Sequence, residues 1–248
     1  MGSARSSSLL AAVALAALLG APGCRDRQPR VDFGPRFFSG PGRVQCSKGL
    51  DREHEWKPEM LAASLAYARD AGVVLHTFGH APKLDLDAYL ADFDWAASHG
   101  VPMVTFRDLA AGHRGAGWAF TVDDDEVDTW FGWRETLRAH RVKVTFFVSH
   151  YDQLGAAQHA ELRALADDGH DIEPHGKAHA NAVDYAAAHG VERYRQDEVL
   201  PSKAALVADG YAPVAFAYPF GAHTAEIDAA LLGDFALLRT TGGAWCLK

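Results

Sequence analysis

Residues 142–179 read VKVTFFVSHYDQLGAAQHAELRALADDGHDIEPHGKAH. The run Val142–Val148 is β-branched and aromatic, which suits a strand covered on both faces. Ala156–Asp168 then repeats its apolar residues near the 3.6 spacing of an amphipathic helix, and Gly169 stands where that helix should stop. Asp171–Glu173 opens a second strand. A strand, a helix and another strand make the repeating unit of a parallel sheet with helical crossovers.

The alternation extends in both directions. Further strands are expected at Val73–Phe78, Val101–Phe106, Trp118–Val122, Val214–Tyr218 and Ala236–Thr240, and helices at Glu59–Asp70, Asp85–His99, Asp125–His140, Val191–Asp209 and Thr224–Leu232. Seven strands interleaved with helices predict an α/β fold, a seven-stranded, distorted (β/α) barrel with its helices outside. Reactive side chains in such folds gather on the rim where strands end.

Composition agrees with a folded domain. Of the 248 residues, 48% are hydrophobic and 23% charged, which excludes a disordered or fibrous chain. The net charge is -8 with no Lys/Arg-rich run, so no nucleic-acid partner is expected. The 13 histidines direct attention to metal or acid–base chemistry.

The N-terminus has a different character. Arg5 precedes an apolar run from Leu9 to Gly20. As a helix that run rises only about 18 Å, short of the ~30 Å core of a bilayer. It fits the apolar region of a secretory signal. Ala21-Pro22-Gly23-Cys24 follows and resembles a bacterial lipoprotein signal, although Ala21 and Pro22 depart from the usual residues. The expected organisation is therefore a signal peptide at 1–23, a Pro/Gly/Arg-rich tether and irregular lead-in at 24–56, and a folded domain at 57–248. Cys24 would carry a lipid that anchors an exported protein to a membrane of the cell envelope or periplasm.

Three polar clusters sit where expected strands end. In Thr121-Val122-Asp123-Asp124-Asp125 three carboxylates repel one another unless a cation lies close. A helix cap would account for one Asp, not three. In Gly169-His170-Asp171-Ile172-Glu173-Pro174-His175-Gly176-Lys177-Ala178-His179 two histidines stand four apart, so one helical turn would align their rings. Two imidazoles and a carboxylate make a catalytic metal site with an open position. By itself a histidine pair at this spacing is more often a surface feature. The third cluster, Phe216-Ala217-Tyr218-Pro219-Phe220-Gly221, would alone be only a strand and a turn.

In this order and spacing the clusters resemble the motifs of the polysaccharide deacetylase family, carbohydrate esterases that remove acetyl groups from amino sugars. The likeness runs from Gly72 to Thr241 and includes Val144-Thr145-Phe146-Phe147-Val148. It implies a deacetylase-like domain at 57–248 with Asp124, His175 and His179 holding a divalent metal, zinc in most members. Asp123 would be the general base, and the backbone N–H of Phe220, beside Tyr218, would serve the oxyanion and substrate. The family's leaving-group acid, a His on a late strand, is missing from its usual place. Circularly permuted members carry that strand ahead of the first motif, where Gly72 to His80 stands here. His80, at the strand end, is then the expected acid, and His76, on the same face but deeper, a packed core residue. The motif's usual Arg is replaced by Ala217, as in some permuted members, which leaves open what orients Asp123, and Asp125 replaces a Gly.

The implied substrate is an N-acetylated cell-wall or surface polysaccharide. An O-acetyl esterase on the same scaffold and a glycan-binding lipoprotein with impaired catalysis remain open. Trp130, Trp133 and Trp245 are candidates for stacking on sugars, against the commoner reading of aromatics as core. With Cys24 lipidated, Cys46 and Cys246 are left to pair, because the two ends of a permuted barrel should be neighbours.

Overall fold

The computed structural model describes residues 33–53, 57–81, 83–242 and 246. The expected signal at 1–23, Cys24 and Trp245 lie outside the described residues. Among the described residues no helix is long and apolar enough to cross a membrane.

Seven parallel strands form one sheet: β1 Val44–Gly49, β2 Val74–His80, β3 Gly117–Asp124, β4 Thr145–Val148, β5 Asp171–Pro174, β6 Ala215–Ala217 and β7 Leu237–Thr241. Their spatial order is β5-β4-β3-β2-β1-β7-β6. The sheet curls until β5 and β6 approach without pairing. There the buried Glu173 carboxylate spans the gap, accepting the backbone N–H groups of Val214 at 2.9 Å and Ala215 at 2.9 Å. The result is a nearly closed (β/α) barrel, as the alternation predicts.

Two strand assignments change. Val101–Phe106 does not form a strand of the sheet. It makes one bridge, Met103 to Trp118, and then turns into a short helix, α3 Phe106–Ala110. Thr105 and Asp108 close a capping box there, each side chain accepting the other's backbone N–H. That box starts a helix where apolar content alone suggests more strand. The missing strand is β1, inside the stretch 24–56 expected as a tether. Its burial alternates, and the buried positions include Gln45 and Ser47 while Val44 and Cys46 are only partly covered. Polar residues turned inward hide a strand from any search for apolar runs.

The helices α1 Pro58–Ala71, α2 Leu90–Ser98, α4 Val127–Gly132, α5 Arg134–Ala139, α6 Ala156–Asp167, α7 Ala182–His189, α8 Val191–Tyr194, α9 Leu200–Ala208 and α10 Ala225–Leu231 complete the fold. The helix expected over Asp125–His140 is broken at Trp133, and that over Val191–Asp209 contains a π turn at Arg195–Val199. Aromatic stacking joins helices to sheet. Phe93 of α2 stacks on Trp118 of β3 at 4.8 Å, and Trp130 of α4 on Phe146 of β4 at 5.0 Å. Each such pair adds about 0.5–1.5 kcal/mol beyond the area it buries. Trp130 is thus core and has no surface to offer a sugar, and Trp133 packs partly buried against the same cluster.

Cys46 of β1 and Cys246 are joined by a disulfide, with Cα atoms 5.8 Å apart and a sequence separation of 200. Register places Cys46 opposite Thr240 of β7, so the bond clips a strand pair the sheet already makes. Mutating both cysteines to Ser is expected to lower stability by about 2–4 kcal/mol, read as a shift of the urea midpoint. Free thiols in unreduced, periplasmically expressed protein would show that this bond does not form.

Candidate active site

The rim at the C-terminal ends of the strands holds a cleft of about 310 Å³. Its walls include His80, Asp123, Asp124, His175, His179 and Phe220. All three expected motif clusters meet there, with β2 beside them.

β3 delivers the two carboxylates. Alternation along a strand would send neighbouring side chains to opposite faces. Asp124 escapes this by adopting φ 86°, which redirects the chain as the strand ends. His179 (φ 54°) and Phe220 (φ 59°) are also left-handed. Such backbone costs about 1–3 kcal/mol at each residue and collects at functional sites.

Asp124, His175 and His179 bring one ligand atom each to within 4.8 Å of the others. The Nε2 atoms of the two histidines are 3.3 Å apart, and Asp124 Oδ1 lies 3.3 Å from His179 Nε2 and 3.9 Å from His175 Nε2. Ligands about 2.0–2.1 Å from a tetrahedral ion stand about 3.3 Å from one another, so the set fits a divalent cation. Protonation states suit it too. Burial drives His175 down to about 4, leaving it neutral at neutral pH. Its Nδ1–H donates to Ala217 O at 2.9 Å, which directs the Nε2 lone pair at the site. For Asp124 burial works against ionisation. The hydrogen bond to His179 and the charges of His175, His80 and His179 outweigh it and hold the carboxyl at about 2.

The HxxxH segment is not a helical turn, as its spacing suggests, but a loop after β5. Gly176 turns it at φ 89°. Glu198, buried in the π turn, holds the loop by accepting Ala178 N–H at 2.9 Å, while its own carbonyl accepts Lys177 N–H at 3.0 Å. A π turn widens the helix locally and often marks a functional position.

β2 lies directly beside β3, with His80 opposite Asp123 in the register. Asp51, just after β1, accepts both the His80 backbone N–H at 2.8 Å and Nδ1–H at 2.6 Å. His80 Nε2 therefore faces the site, 3.9 Å from Asp123 Oδ2. Burial disfavours its charge. The Asp51 hydrogen bond and the charges of Asp123, Asp51 and Asp124 overcome that and raise His80 to about 9. His76, fully buried, is lowered to about 4 by burial and packs edge-on to Phe106. It lies in the core, as its depth along β2 suggests.

At the third cluster, the 3₁₀ turn Pro219–Gly221 exposes Phe220 by 61% and sets its ring 4.8 Å from His179. Gly221 is obligatory here. Its φ is 67°, and a Cβ would lie 2.1 Å from Thr241 Oγ1. Tyr218 borders the cleft, but its hydroxyl donates to Asp228 at 2.8 Å and its ring stacks on His223. Its hydroxyl thus braces the turn through Asp228.

The cation that Ala217 lacks is present. Arg239 of β7 is the register partner of Ala217, and its Nη2 donates to Asp123 Oδ1. Arg239 thus fills the place that the sequence leaves open beside Asp123. Asp125 also turns away, its carboxylate meeting His150 Nδ1 at 3.0 Å.

Residues 112–233 match a sequence-family model described as polysaccharide deacetylase. The chain carries a polysaccharide deacetylase domain. It is a deacetylase-type enzyme, and its fold recurs in solved structures of low identity. These include IcaB from Ammonifex degensii, at 17% identity and TM-score 0.51 over 81% of this chain and 88% of that one. The Streptococcus pyogenes deacetylase PplD, in complex with acetate, is 14% identical with TM-score 0.50 over 80% and 90%. BC0361, a polysaccharide deacetylase from Bacillus cereus, is 16% identical with TM-score 0.51 over 81% and 58%. No curated protein sequence matches the chain. Three site residues of this deacetylase escaped the sequence: Asp51, Glu198 and Arg239. Of these, Asp51 and Arg239 fall outside the matched span, as does His80.

Proposed function

We propose that the protein hydrolyses N-acetyl groups from amino-sugar residues of a cell-wall or surface polysaccharide, using a divalent metal, zinc by donor set, held by Asp124, His175 and His179. The observation that carries this is the placement of a relayed histidine and a carboxylate on the open side of one ligand cluster, through Asp51–His80 and Asp123. A cation there supplies Lewis-acid polarisation of the acetyl carbonyl and a nucleophile near neutral pH.

The chain's own groups divide the remaining work. Asp123 Oδ2 accepts the proton of the attacking water. His80 Nε2, charged at neutral pH, donates to the departing amine. The Phe220 N–H faces the developing oxyanion, and the Phe220 ring gives a sugar an apolar surface. The imidazolium acid is thus in its working protonation state at neutral pH.

Purified protein should release acetate from an N-acetylglucosamine oligomer, lose this on chelation and regain it with zinc. Release only from O-acetylated glycans would favour the esterase, and metal binding with no release from either would favour the glycan-binding reading. Arg239 removes that last reading's main support, since the cation is not lost. We further propose export and lipid anchoring through Cys24. The Cys46–Cys246 disulfide supports an oxidising compartment.

A further inference from the structure

Arg239 lies in the barrel interior and is 0% exposed. It starts on β7 and reaches Asp123 on β3, with β1 and β2 between those strands in the sheet. Its guanidinium passes between two rings, 5.3 Å from the centre of Phe78 and 5.0 Å from that of Phe147. Among the described residues its Nε and Nη1 have no hydrogen-bond partner. Arg43 behaves differently, spending its donors on the carbonyls of Leu232, Phe235 and Ala236 to tie loops together. A buried guanidinium that ties no backbone and meets one carboxylate is placed for that carboxylate.

We infer that Arg239 is the positioning residue of this deacetylase's base, holding Asp123 from β7 in place of a cation on β6. The inference rests on the functional reading above. Asp123 is only 2% exposed and stands one residue before the end of β3. Arg239 takes Oδ1, which fixes the carboxylate's rotation. Oδ2 is left 3.9 Å from His80 Nε2 and 3.9 Å from His175 Nε2, facing the cleft. The side chain at 217 decides where the cation can come from. Ala217 and Arg239 are neighbours in register on parallel strands, so their side chains share a face. A methyl at 217 leaves that space to Arg239. Arginine at both positions would bury two guanidinium groups against one carboxylate.

The test compares the parent, Arg239→Gln, and Arg239→Gln combined with Ala217→Arg. Readouts are kcat and KM for acetate release from an N-acetylglucosamine oligomer, zinc content, and the position of Asp123 in crystal structures. Arg239→Gln should keep zinc and KM but lose about 100-fold in kcat, the scale of a 1 Å misplacement, with the Asp123 carboxylate swung from its parental place. The added Ala217→Arg should recover about tenfold or more of that loss. A parental kcat in Arg239→Gln, or an unmoved Asp123, overturns the inference. If Arg239→Gln does not fold, the double variant decides: Asp123 held in its parental place supports the role, and Asp123 displaced overturns it. If the parent releases no acetate, the functional reading fails on its own, and the crystallographic position of Asp123 still decides the role of Arg239.

Discussion

Asp124→Ala is expected to lose bound metal and turnover together, while Asp123→Asn keeps the metal and loses roughly two to four orders of magnitude in rate. The neighbouring carboxylates stand in different relations to the histidines. Asp124 Oδ1 is 3.3 Å from His179 Nε2, within the ligand cluster. Asp123 gives Oδ1 to Arg239 and stands 3.9 Å from His175 through Oδ2. Removing Asp124 takes away one of three ligands and the only one carrying charge. Alanine must also adopt φ 86° there, costing about 1–2 kcal/mol as for any left-handed L-residue. Asparagine at 123 preserves shape and the contact with Arg239 but cannot take a proton. It leaves the buried guanidinium without its counter-charge, so stability is to be recorded beside turnover. Metal content by mass spectrometry and initial rates decide the matter. Equal loss of metal in both variants, or full turnover in either, would refute the division into ligand and base.

His80→Ala should lower turnover by about 10²–10⁴ with metal retained, and the pH profile should show why. His80 must be protonated to serve the leaving amine. With its value raised to about 9, the acid form dominates at neutral pH and is lost as pH rises through that value, which sets the alkaline limb. The Asp51 hydrogen bond and charge are part of the rise, so Asp51→Asn should move the limb to lower pH. A bound divalent cation adds positive charge and lowers the limb in parent and variant alike; the displacement between them is the measurement. His76→Ala should leave this profile unchanged, because His76 is buried below the rim. A limb unmoved by Asp51→Asn, or a turnover loss from His76→Ala matching that from His80→Ala, would place the acid elsewhere.

Most of the barrel can be read from sequence because its strands announce themselves. β3 and β4 are almost wholly buried runs, and the candidate ligands stand at the end of β3 and just after β5. What escaped did so for physical reasons. β1 turns Gln45 and Ser47 inward, so its pattern inverts the usual alternation. With β1 unseen, Asp51 has no address. Glu198 acts through a π turn that an uninterrupted helical period conceals. Arg239 did leave a signal. A charge inside the apolar stretch 236–240 is almost never buried unless paired, and its partner could have been sought among the acidic residues of the first cluster.

The order in which the barrel can form follows from where its strands fall in the chain. β1 pairs with β2, close in sequence, and with β7, across a separation the disulfide spans at 200 residues. The contact that seats the base joins residues 116 apart. Native contacts of such long range carry a large loop-closure entropy and slow folding. β2 to β5 can assemble early as a contiguous open sheet, already carrying both carboxylates and followed by both histidines. Seating of the base then waits for β7 to dock between β1 and β6, so Asp123 gains its buried partner only after strands from distant parts of the chain have met.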